Sequence, residues 1–116
     1  HGFSSLLAAG STSDDSGVLA AAQWLSTNRD FSYPEGIPRD SPAGWGHVMF
    51  FYHVMVRAEA YRALPAAPAG WRDQLATTLA ERQQPDGRFS NPQGAPNKED
   101  DPLIATSMIV VALAQE

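Results

Sequence analysis

Cysteine is absent from this chain, so neither disulfides nor thiolate metal sites can form, and the redox compartment stays open. Basic charge is scarce: eight Lys and Arg face thirteen Asp and Glu, a formal net charge of −5. That balance argues against non-specific nucleic-acid binding, which needs a basic surface, and gives anionic membranes nothing to hold. No hydrophobic run is long enough to span a bilayer. The longest, Leu103 to Ala114, is broken by Thr106 and Ser107 and falls short of the ~20 residues required, so no transmembrane segment is expected. No basic stretch leads into an apolar segment at the start, so no targeting signal is readable and no compartment is assigned. What remains is 116 residues with 43% hydrophobic and 18% charged content, the composition of one soluble globular domain or fragment.

Within that composition one string occurs twice. Phe31-Ser32-Tyr33-Pro34-Glu35-Gly36-Ile37-Pro38 returns as Phe89-Ser90-Asn91-Pro92-Gln93-Gly94-Ala95-Pro96, in the pattern F-S-x-P-x-G-x-P. A recurrence at this separation marks stacked copies of one supersecondary unit, each burying its apolar face against a neighbour. The pair Ala63-Leu64 returns as Ala112-Leu113 at a smaller separation, so the second copy has the shorter linker. The units are read as residues 14–64 and 69–116. Both ends look cut. Ser4 to Gly10 reads as the last turns of an apolar helix with a glycine stop, and Val111 to Glu116 ends in or just past another. A piece of a longer repeat protein is expected, with His1-Gly2 a tag or cleavage remnant.

Four principal helices are readable. The first, from about Asp14 to Asn28, has Ser13 or Asp14 for its cap and Val18, Leu19, Ala22 and Leu25 at helical spacing. The second, from about Trp45 to Leu64, is mostly apolar, with His53, Arg57 and Tyr61 forming one narrow polar stripe. The third, from Ala69 or Trp71 to Gln83, sets Trp71, Leu75 and Leu79 on one face. The fourth starts at Pro102, a favoured first-turn residue, with Asp101 placed to cap it; a strand is a minor alternative because the segment is rich in β-branched residues. The order is amphipathic, buried, amphipathic, buried. It predicts an all-α fold with amphipathic outer helices and inner helices covered on every side.

From Gln83 the chain reads Gln-Gln-Pro-Asp-Gly-Arg-Phe, and Gln83-x3-Gly87-x-Phe89 resembles the QW motif of squalene cyclases, with Phe in place of Trp. The following Glu99-Asp100-Asp101-Pro102 and Ala105-Thr106-Ser107 look like the acidic start of an inner helix in prenyltransferase and squalene-oxidase repeat proteins. The resemblance spans about Trp71 to Gln115. The first unit matches in layout only, with Leu25 where Gln83 stands and Arg29 where Gly87 stands. The resemblance implies a segment of an α/α toroid, in which Gln83 and Phe89 tie an outer helix to the start of a neighbouring one.

Catalytic and binding readings are weighed against structural ones. In squalene-hopene-type cyclases a D-x-D-D segment supplies the protonating acid, and Lys98-Glu99-Asp100-Asp101 lies near that pattern with Lys98 at its first Asp. Asp100 and Asp101 are therefore the catalytic candidates, although a lysine beside them favours ionisation over the protonated acid. The structural reading, given more weight, has Asp101 as the cap, with Glu99 and Asp100 at the positive end of the same helix. His53, Arg57 and Tyr61 would suit an anionic head group; the favoured alternative sends the stripe to solvent or to a further hairpin, with Glu59 and Arg62 paired. Trp45 and Phe51, with Phe50, Tyr52 and Phe89, would line an apolar ligand pocket or, by the weightier reading, the core. No cofactor is expected. His47 and His53 fall on different faces and do not chelate a metal.

The expected role is a repeat segment of a larger protein, structural or binding rather than catalytic by itself. Its partners would be the remaining repeats or a second copy. Part of a terpenoid cyclase acting on a polyprenyl substrate is the alternative. A carbohydrate-active (α/α) barrel segment, with Trp45 and Trp71 stacking on sugars, is the third reading.

Overall fold

A computed structural model describes residues 1–114. Six α-helices and one 3-10 turn form among them, and no strand: α1 (Gly2–Ala8), α2 (Ser16–Thr27), α3 (Trp45–Val48), α4 (Phe50–Ala63), α5 (Trp71–Ala80), the 3-10 turn Ala95–Asn97, and α6 (Pro102–Leu113). The strand alternative for the last segment is thereby corrected. β-branching costs a helix only tenths of a kcal/mol, and Pro102 with the Asp101 cap starts it. Gln115 and Glu116, with which the second unit was expected to end, lie outside the described residues. No described helix is long and apolar enough to cross a membrane.

Helix α2 starts two residues later than expected. Asp15 stands at its cap position, and neither Ser13 nor Asp14 caps it. The Asp15 carboxylate instead turns back to accept from the Thr12 amide at 3.0 Å. At α6 the expectation holds: the Asp101 carboxylate accepts from the Leu103 amide at 2.9 Å. Capping here leaves one fewer orphan N–H in the first turn.

The segment Trp45–Leu64 is not one helix. It breaks at Met49, where φ is −106° and ψ is 34°, and the two pieces are held by side chains from the second linker. The Glu99 carboxylate accepts from the Phe51 amide at 2.9 Å and the Tyr52 amide at 2.8 Å. The Asn91 side-chain amide donates to the His47 carbonyl at 2.6 Å and to Glu99 at 3.0 Å. A continuous helix would have joined His47 to Phe51 and Val48 to Tyr52 directly. Asn91 and Glu99 replace those backbone bonds, Asn91 also reaching the Val48 carbonyl at 3.4 Å, so these four groups stay paired across the break. Gly94 makes the arrangement possible, since a Cβ there would lie 2.5 Å from the Glu99 Cβ.

The first linker reaches the same spot from another side. Tyr33 lies on α3 so closely that a Cβ on Gly46 would come within 2.2 Å of its ring. The third residue of each F-S-x-P string thus meets α3, while each Phe enters the core. Phe31 stacks on Trp71 and meets Tyr61 edge-on, and Phe89 meets Phe51 edge-on. Burying such a side chain contributes roughly 1.5–3 kcal/mol.

Contacts at the helix ends fix the directions. α4 and α6 pack along one another and run the same way: Glu99, just before α6, holds the start of α4, and Arg62, near the end of α4, donates to carbonyls at the end of α6. α5 runs opposite, with Trp71 against Tyr61 and Arg82, just past its end, over the Phe50 ring. α2 also runs opposite, its last turn bonded by Arg57 and Tyr61. Helix α4 is therefore central. Full enclosure of the last helix is not observed. α6 buries only the stripe Ala105, Ile109 and Ala112 and leaves Leu103, Val110, Val111 and Leu113 exposed, because no described element covers its other side.

Candidate functional site

A half-open cleft of about 240 Å³ lies between the end of α2, the first linker, His1 and the side of α4 from Tyr52 to Ala60. Its apolar walls are Trp24, Leu25, Ile37, Tyr52 and Val56, and its polar groups are His53, Arg57, His1 beside Tyr52 and, at the exposed rim, Glu35. Helical spacing brings the α4 residues together: 52, 53, 56 and 57 follow one another up a single side of the helix.

The stripe His53, Arg57 and Tyr61 turns to the end of α2 and the first linker, and neither to solvent nor to a further hairpin, the two outcomes of the favoured reading. Tyr61 and Arg57 are 1% and 5% exposed. Arg57 Nη1 donates to the Asn28 carbonyl and, at 2.9 Å, to the Tyr61 hydroxyl, which donates onward to the Leu25 carbonyl at 3.0 Å. These carbonyls close the C-terminal end of α2, where a cation is favourable. Arg57 Nε is buried with no hydrogen-bond partner among the described residues. The indole of Trp24 sits 6.0 Å from the guanidinium carbon, within cation–π range.

His53 Nε2 lies 3.4 Å from the Asp30 carbonyl, an acceptor, which places the ring proton on that nitrogen. Burial, reinforced by the nearby Arg57 charge, lowers its pKa to about 4, against weaker upward pulls from Asp30. The ring is neutral at physiological pH. Asp30 itself is pushed up by burial, but hydrogen bonds from the Ser32 hydroxyl and amide, with Arg39 and His53 nearby, outweigh that and hold its carboxyl below the usual 3.8. The cleft therefore presents the buried Arg57 guanidinium, the neutral His53 imidazole, His1 against Tyr52, and an aromatic wall.

The remaining candidates are dispersed. Asp100 is exposed, and its backbone carbonyl accepts from Ser90; the Asp101 carboxylate is occupied as the α6 cap. Trp45 is 45% exposed on α3, and Phe51 is 1% exposed in the core, so the two do not share a pocket. Gln83 does not reach a neighbouring helix; it is exposed and donates to the Gly87 carbonyl at 2.8 Å, closing its own turn. Phe89 does make a tie between elements, its amide donating to the Thr106 hydroxyl of α6 at 3.0 Å. Glu59 is exposed and does not pair with Arg62, which instead donates to the Val111 and Ala112 carbonyls at 3.1 and 2.9 Å. A carbonyl cluster at a helix end offers Arg62 several acceptors at once. No group of three His, Asp or Glu side chains placed to hold a metal occurs among the described residues.

Glu99 is the residue whose role the sequence reading misplaced. It is fully buried and holds the start of α4 rather than of α6. Its position in a loop rich in Gly, Pro and Asn signals a turn, and nothing local points to a helix start 48 residues earlier in the chain. No family model, curated protein or solved structure matches this chain.

Proposed function

We propose that the chain is a repeat segment of the prenyltransferase and squalene-oxidase type within a larger α/α toroid, serving as structural or binding surface rather than as a catalyst by itself. The observation that carries this reading is the apolar face of α6, where Leu103 is 76% exposed and Val110 64%. Apolar side chains grouped on one helix face mark a surface that another element covers. The parallel run of α4 and α6, with α2 and α5 opposed to them, supports a ring of hairpins continuing past α6. The equal use of Phe31 and Phe89 as core anchors supports repetition. Against catalysis by this segment stand the exposure of Asp100 and the engagement of Asp101 in a cap.

Sedimentation of the 116-residue chain tests the reading. The chain by itself should associate reversibly and bind an apolar dye, and the double variant Leu103→Glu/Val110→Glu should abolish both with helix content unchanged. A wild-type chain that stays monomeric and dye-free at every concentration would remove the basis for a covered α6 face.

A further inference from the structure

Arg57 carries a full charge, is 5% exposed, and has no carboxylate partner: the one ion pair among the described residues is Arg88 with Asp86. Both of its hydrogen bonds leave from Nη1, and Nε has none. A buried N–H without a partner is costly, and more so on a charged group. The side of a guanidinium that carries Nε and Nη2 is the side on which a carboxylate docks with two parallel hydrogen bonds. Arg57 lines the cleft together with Trp24, Ile37, Tyr52 and Val56, so a group with incomplete hydrogen bonding stands beside an apolar hollow.

We propose that this cleft binds a small organic monoanion, a carboxylic acid bearing one aromatic or branched aliphatic group, whose carboxylate completes the hydrogen bonding of Arg57. Charge selects the monoanion. Arg57 is the buried cation of the wall, His53 is neutral, His1 borders the hollow against Tyr52, and the Glu35 carboxylate at the rim opposes a second negative charge. Size selects a small body, since about 240 Å³ is below the roughly 300–1,000 Å³ of sites for drug-sized ligands. Shape selects a ring or a branched chain, to fill the space beside Trp24 and Tyr52. The site lies between α2, the first linker, α4 and His1, away from α6, so it stands whether or not further hairpins pack there.

Titration of 3-phenylpropanoate into the 116-residue chain, followed by NMR, tests this. The Arg57 Nε–H and Trp24 indole signals should shift saturably. The neutral amide, 3-phenylpropanamide, should bind at least about tenfold more weakly, the worth of a charge-assisted pair. Phenyl phosphate, with nearly two charges, should also bind more weakly. Because Arg57 variants would disturb the end of α2, the blocking variant is Ile37→Trp, which fills the cleft from the linker and should abolish the shifts while leaving helix content intact. Equal binding of acid and amide, shifts that survive Ile37→Trp, or no shift with any of the three probes would overturn the proposal, the last leaving only a water for Arg57 Nε.

Discussion

Helices α4 and α6 were both expected to be covered on every side and lie side by side, yet they live in different surroundings. α4 exposes only Glu59 and Ala63, whereas α6 exposes Leu103, Ser107, Val110, Val111 and Leu113. The difference follows their polar residues. α4 sends Arg57 to the end of α2 and Arg62 to the end of α6, and receives Glu99 at its own start. Between Pro102 and Leu113 there is no charged residue, and the Ser107 hydroxyl only returns to the Leu103 carbonyl of its own helix. An enclosed helix in this molecule is one whose polar side chains close other elements' termini. The more apolar of the two helices is the more exposed one.

The largest test of that contrast is Glu99→Ala, which strips acceptors from the Phe51, Tyr52, Asn91 and Asn97 N–H groups at once. A loss of about 3–5 kcal/mol in urea unfolding is expected, as for breaking a buried charged network; a loss under about 1 kcal/mol would show that α4 does not depend on it. Acidification comes next. His53 has an unfolded-state pKa near 6.5 and a folded one of about 4, so the unfolded chain takes up the proton first. Stability should therefore fall as pH drops from about 6.5 to about 4, by on the order of 2–3 kcal/mol, and His53→Phe should flatten that window. Asp30 acts lower, losing its contribution only below the usual carboxylate range.

A matched pair of truncations compares the helices directly. Val54→Ala, at a fully buried site in α4, should cost about 2 kcal/mol, and Val110→Ala on α6 less than about 0.5 kcal/mol. Equal costs by thermal melting would mean that α6 is covered in solution. The smallest effect is Asp101→Ala, with one bond to the Leu103 amide to lose: about 1 kcal/mol, measured by denaturant midpoint.

Local signals made part of this fold legible in advance. Pro102 after Asp101 marks the start of α6, and Trp71, Leu75 and Leu79 mark the buried side of α5. Each lies within a few residues of what it specifies. The break at Met49 does not, because its cause lies in Asn91 and Glu99, brought there by the fold. Arg57 was visible as a member of a polar stripe, but its acceptor, the Asn28 carbonyl, is a backbone atom that no residue type announces. For α6, apolar residues all round state a need for cover and do not supply a neighbour.

The pairing of Asn91 and Glu99 with the α3–α4 junction also orders events in time. During vectorial synthesis the residues through Leu64 leave the ribosome well before residue 99, so the opening turn of α4 waits, with its amides bonded to water, for a segment not yet made. Hydrogen exchange should report the same dependence in the finished chain. The Phe51 and Tyr52 amides should exchange together with the 91–99 loop as one cooperative unit, although nearly half the polypeptide separates them.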